Sequence, residues 1–178
     1  MQREASAVID DEKLLGWFAG RIPDDWFTEG PKLTTDREEV LVTGTLGPPK
    51  LDEDVSDEAR SAALRSRVEG WREETRGARM KIAREAEHRW GRKISWGASI
   101  GDETYLFTTA GVPVMTRLRM SERKVLDTLI DSGVARSRSD ALAWCVRLVG
   151  SKQSEWLDEL RDALVAVEKV RSEGPNPA

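Results

Sequence analysis

The stretch Met115–Val149, MTRLRMSERKVLDTLIDSGVARSRSDALAWCVRLV, reads as one short strand followed by two amphipathic helices with almost nothing between them. Alternation from Val114 to Met120 puts Thr116, Leu118 and Met120 on one face of an extended segment and Met115, Arg117 and Arg119 on the other. A strand that short is not stable alone, because its ladder hydrogen bonds have no partner. Pairing with a second copy of itself would supply them, and a two-stranded ribbon has dimensions that fit the DNA major groove.

The two helices carry their own signals. Ser121 stands where an N-cap is expected, Val125, Leu126, Leu129 and Ile130 form an apolar face, and Ser132-Gly133 ends the helix. Ser137-Arg138-Ser139-Asp140 has the form of a capping box, after which Leu142, Cys145, Val146 and Val149 mark the buried side of the second helix. Its N-terminus, flanked by Arg136 and Arg138, presents free N–H groups and a positive dipole end to which a phosphate can bind.

In the order and spacing of these pieces, RLRMSER, the Gly-containing turn and SRSDAL, the chain resembles the ribbon-helix-helix family of the Arc and MetJ type. The resemblance covers Pro113 to Val149, about 37 of 178 residues. It implies an obligate homodimer in which two strands pair antiparallel across a two-fold axis above four interlocked helices. Base edges would then be read by Met115, Arg117 and Arg119, since arginine's paired donors match guanine O6 and N7 and Met115 suits a thymine methyl. Arg123, Lys124, Ser137 and Arg138 would hold phosphates and set the register without reading sequence. The chain departs from the family pattern in one respect: the strand usually lies near the beginning, whereas here about 110 residues precede it.

Outward from this segment, charge is unevenly distributed. The net charge is −4, yet residues 1–59 carry 6 Lys+Arg against 15 Asp+Glu, while residues 60–150 carry 18 against 11. That asymmetry suits a polyanionic partner for the basic part, with an acidic leader able to shield the ribbon or compete for it. From about Ser56 to Trp90 the apolar positions Leu64, Val68, Trp71, Ala78, Ile82 and Ala86 mark one long helix. Beside that stripe Arg65, Arg72, Arg76 and Arg79 fall on one ridge, a secondary basic track for a phosphate backbone or an ordinary solvated face paired with Glu69, Glu73 and Glu85.

Elsewhere residues 10–33 read as a short helix and an irregular segment, and Glu38–Leu46 as a strand. Lys93–Thr109 reads as a hairpin turning at Gly101-Asp102, with Ile94, Trp96, Ala98 and Ile100 alternating. After the opening segment, Trp156, Leu157, Leu160, Leu164 and Val167 line one side of a last helix that GPNP ends. The fold class expected is α+β: an N-terminal βαββ-like unit with a long basic helix and an acidic leader over residues 1–110, a ribbon-helix-helix unit over 111–150, a C-terminal helix over 151–173 and a disordered tail over 174–178.

Catalytic chemistry finds no foothold in this sequence. His88 is the single histidine, in the helical run REAEHRW, and Cys145 is the single cysteine, read as a reduced, buried thiol. No C-x-x-C, H-E-x-x-H, G-x-G-x-x-G or P-loop pattern occurs, so no enzyme, metal or cofactor is expected. No run approaches the length of a membrane span and the start is polar and acidic, so the expected location is cytoplasmic and nucleoid-associated. The function expected is a homodimeric, sequence-specific double-stranded DNA-binding protein, a transcriptional regulator or nucleoid-associated factor. The alternatives are an antitoxin-like adaptor, in which the ribbon-helix-helix unit serves dimerisation and Trp17, Trp26 or Phe27 meets a protein partner, and an RNA- or ribosome-binding protein.

Overall fold

The alternation of KISWGASI places a strand at the centre of the N-terminal half, with Ile94, Trp96, Ala98 and Ile100 all buried. In the computed structural model, which describes residues 11–174 apart from residue 53, the fold is α+β. Along the chain run helix α1 (Asp11–Arg21), strands β1 (Lys32–Thr35) and β2 (Glu39–Thr43), helices α2 (Asp57–Glu74) and α3 (Arg76–Trp90), strands β3 (Lys93–Ile100) and β4 (Glu103–Leu106), and helices α4 (Met120–Asp131), α5 (Arg138–Lys152) and α6 (Ser154–Ser172). The chain divides into two compact units at Pro113/Val114.

In the first unit the sheet order is β1-β2-β3-β4. Hairpins make β1/β2 and β3/β4 antiparallel, with Lys32 opposite Thr43 and Ala98 opposite Tyr105. β2 and β3 run parallel, Val40 opposite Ile94, and a parallel pair needs a long crossover, which α2 and α3 supply. Gly101 has φ +58°, the positive value that the first position of a II′ turn demands, so the hairpin turns where the sequence places it. One core cluster joins Leu14 and Phe18 of α1 to Val40, Val42, Ile82, Ala86, Ile94 and Trp96; a second joins Val68 and Trp71 to Leu46, Ala98 and Ile100. Trp26 bridges the two, its ring edge-on to Trp71 at 5.5 Å and to Trp96 at 6.1 Å. Trp17, Trp26 and Phe27, expected as possible partner contacts, thus pack on the unit's own core.

Two expectations for this unit are corrected. Its order is αββααββ rather than βαββ, because the β1 sequence KLTT has one apolar residue and gives no strand signal, while its ladder to β2 holds it in place. The long helix is broken at Thr75. There the hydroxyl donates to Trp71 O at 2.6 Å, and the Arg79 guanidinium reaches back, Nε to Thr75 Oγ1 at 2.9 Å and NH2 to Arg72 O at 2.6 Å. The backbone bonds Thr75 N to Trp71 O at 3.0 Å and Arg79 N to Thr75 O at 2.9 Å are kept, so these side chains brace the junction between the two helices. The buried stripe accordingly continues through Thr75 and Arg79, and Ala78, expected within it, is exposed.

In the second unit the core is small: Leu126, Ala135 and Ala141 are buried, with Leu118, Leu129, Ile130, Leu142 and Cys145 packed around them. Gly133, at φ +78°, turns the chain between α4 and α5, while the N–H groups of Val134 and Ala135 both donate to Leu129 O. Ser137 caps α5 as its sequence indicates, accepting from Asp140 N at 3.2 Å. α4 begins two residues earlier than expected, with Arg119 rather than Ser121 at the N-cap, because Glu122 Oε2 accepts from Arg119 N at 2.5 Å. Val125, Val146 and Val149, expected on buried faces, are exposed, and Cys145 is half-buried. Of the tail expected to be disordered, all but Gly174 lies outside the described residues.

Candidate nucleic-acid interface

Among the described residues, the segment leading into α4 enters no β-ladder. The expected alternation is kept at one position only: Leu118 packs on the core formed by Leu126, Ala135 and Ala141, while Met115, Arg117 and Arg119 are exposed, and so are Thr116 and Met120, expected on the inward face. Met115 is 95% exposed, an unusual state for a large apolar side chain. Among the described residues of this unit, neither the Arg117 nor the Arg119 guanidinium has an ion-pair partner. The Arg123 side chain donates to Leu118 O at 2.7 Å and so ties the segment to the first turn of α4. Lys124, on the same turn, is exposed.

The phosphate-binding set expected from the sequence is only partly assembled. Ser137 Oγ is engaged as a cap, and Asp140 Oδ2 accepts from Arg136 N at 3.0 Å, so two donors of this helix start are already satisfied. Arg138 is corrected from a free phosphate ligand: its fork binds Asp127, Nε to Oδ1 at 2.8 Å and NH2 to Oδ2 at 2.9 Å. That hydrogen bonding holds the Asp127 carboxyl below its ordinary range and raises the Arg138 guanidinium. Sequence spacing could not show this pair, because its members are 11 residues apart on different helices.

The secondary ridge is also corrected. Arg65, Arg72 and Arg76 are exposed, but Arg79 is only 6% exposed, stacked over the rings of Trp71 at 5.4 Å and Phe107 at 5.1 Å. Burial, together with the charges of Arg72 and Arg76, pushes the Arg79 guanidinium down to about 10, so it remains charged at neutral pH. No cluster of three or more metal-ligating side chains occurs among the described residues, and no described helix is long and apolar enough to cross a membrane.

Residues 12–106 match the family model described as the N-terminal domain of Rv1265-like protein, and residues 119–171 match the one described as the Mb1296 C-terminal domain. The chain belongs to the Rv1265-like family. It is 56% identical over 161 residues to uncharacterized protein Rv1265 from Mycobacterium tuberculosis (strain H37Rv), with 90% of this chain and 69% of that relative covered. Identity and coverage are the same for uncharacterized protein Mb1296 from Mycobacterium bovis. No solved structure matches the chain. The two family regions leave residues 107–118 between them, so of the expected base contacts Arg119 falls inside the second region while Met115 and Arg117 precede it.

Proposed function

We propose that this chain is a homodimeric DNA-binding protein of the ribbon-helix-helix type, in which two copies of the 114–120 segment pair into a ribbon that reads the major groove. The observation that carries the reading is the split of that segment: Leu118 faces the core of its own unit, while Met115, Arg117 and Arg119 face outward without ion-pair partners in that unit. A second copy supplies the missing strand bonds and, in the same step, covers exposed apolar side chains such as Met120, Val125, Val146 and Val149. Two arginines per copy give four guanidiniums at the ribbon, each able to bind guanine O6 and N7 as a fork. Arg123, Lys124, Arg136 and the N-terminus of α5 position the duplex. The role is that of a transcriptional regulator or nucleoid-associated factor in the cytoplasm.

The test is a gel-shift series on mixed-sequence genomic fragments with the wild type and an Arg117→Ala, Arg119→Ala double variant whose fold and dimer state are verified by circular dichroism and sedimentation. The wild type is expected to bind with an affinity that falls roughly 10³-fold between 50 and 200 mM salt, as about six phosphate contacts require. The double variant is expected to bind at least about tenfold more weakly. Equal binding by the two proteins, or affinity indifferent to salt, removes the ribbon from the mechanism. A dimer with no DNA affinity leaves the unit a dimerisation module for a protein partner.

A further inference from the structure

Beside the junction of α2 and α3 the first unit has a pocket of about 650 Å³, walled by Arg72, Arg76, Arg79, Ile94, Trp96 and Phe107. That volume suits a small molecule. Its polar side is strongly one-signed. Arg72, Arg76 and Arg79 contribute three positive charges, and Glu73 is the single carboxylate in the lining. Among the described residues none of the three guanidiniums has a carboxylate partner. Arg79 is the informative member, because a charge buried to 6% exposure and lacking a counter-charge is costly to keep. Its hydrogen bonds to Thr75 Oγ1 and Arg72 O tie it to the junction of α2 and α3, but they bring no negative charge. Placing Arg72 and Arg76 beside it raises the cost further, as the depression of Arg79 by both neighbours records. A purely structural arginine has no use for two more cations at its side. Arg72 and Arg79 both stack on the Phe107 ring, at 5.5 and 5.1 Å, and Met80, Ala83, Ile94 and Trp96 make most of the rest of the lining apolar.

We infer that this pocket binds a small molecule with at least two negative charges at one end, a phosphate monoester or a dicarboxylate, and a planar apolar body that lies against Phe107 and Trp96. The charge count sets the anion, since two negative charges neutralise the surplus of three arginines over Glu73. Guanidinium forks bind phosphate and carboxylate oxygens in the same bidentate geometry, so the pocket chemistry is shared by the two sources. The inference concerns the first unit alone and does not rest on the DNA-binding proposal.

The experiment is calorimetric titration of the full chain with phenyl phosphate, phthalate, inorganic phosphate and neutral benzyl alcohol, with thermal unfolding in parallel. At least one of the two aromatic dianions is expected to bind at least about tenfold more tightly than inorganic phosphate or benzyl alcohol and to raise the unfolding temperature. Which of the two prevails identifies the source of the charge. An Arg72→Gln, Arg76→Gln double variant changes exposed positions and is expected to keep its fold while binding at least about tenfold more weakly. The inference is overturned if neither aromatic dianion binds at millimolar concentration, if the double variant binds as the wild type does, or if sodium sulfate at equal ionic strength gives the same stabilisation.

Discussion

Arg138 and Asp127 form a two-pronged ion pair, 2.8 and 2.9 Å, that fastens the first turn of α5 to the flank of α4. Because hydrogen bonding from Arg138 and then the charges of Arg138 and Arg123 hold the Asp127 carboxyl below its ordinary 3.8, the folded state keeps this group ionised at a pH where the unfolded chain has begun to protonate it. Its contribution is therefore fully present above the ordinary carboxylate range and is lost as pH falls through the lowered folded value. Thermal unfolding from pH 7 down to pH 2.5 is expected to show wild type more stable than Asp127→Asn at neutral pH, with the gap closing at the acid end. A gap that stays constant with pH refutes the assignment.

Thr75 and Arg79 give a second prediction. Thr75→Val keeps the shape of the side chain but leaves Arg79 Nε buried without its acceptor, a loss of about 1–3 kcal/mol. Thr75→Ser keeps the hydroxyl and is expected to recover most of it. Urea unfolding of the three proteins measures the difference, and equal midpoints for Thr75→Val and wild type would show the bond to be idle.

At Gly44 the constraint is space. A Cβ there would lie 2.3 Å from Phe27 Cγ and 2.4 Å from both Cδ atoms, so the ring must shift or the strand end must bend. Gly44→Ala is expected to cost about 1–3 kcal/mol. Adding Phe27→Leu removes the obstructing ring, and the double variant is expected to lose less than the sum of the two single changes. Strict additivity in urea unfolding counts against the clash.

Legibility in the sequence followed the range of the interaction. Ile94, Trp96, Ala98 and Ile100 announced a buried strand because a two-residue period is local, and Gly101 and Ser137 marked a turn and a cap for equally local reasons. Spacing puts Arg79 on an exposed basic ridge, whether as a phosphate track or as a solvated face; its burial depends on Trp71, Phe107 and a helix junction that no spacing rule contains. The Arg138–Asp127 pair was hidden in the same way by the turn between α4 and α5. Periodicity also marks a face as apolar without saying what covers it. Val146 and Val149 lie on the expected side of α5, and within one chain that side remains open.

The last helix carries an open apolar face, and it gives the final prediction. Trp156, Leu160, Leu164 and Val167 recur at intervals of four, four and three along α6, which places them on one side, and all four are exposed, Leu164 at 66%. A helix this apolar along one stripe is a costly surface to leave in water, at about 25 cal/mol per Å². If a second copy covers it, extending the proposed dimer contact, sedimentation equilibrium of the wild type at micromolar concentration is expected to give twice the 20.0 kDa chain mass. Its unfolding temperature is expected to rise with protein concentration. A Leu160→Glu, Leu164→Glu double variant puts four like charges into that contact across the two copies. It is expected to shift the mass toward 20.0 kDa while leaving the first unit folded, as far-ultraviolet circular dichroism and the fluorescence of Trp71 and Trp96 would report. A wild type that sediments as a monomer throughout the range, or a double variant that dimerises as tightly, shows that α6 is covered by something other than its own copy.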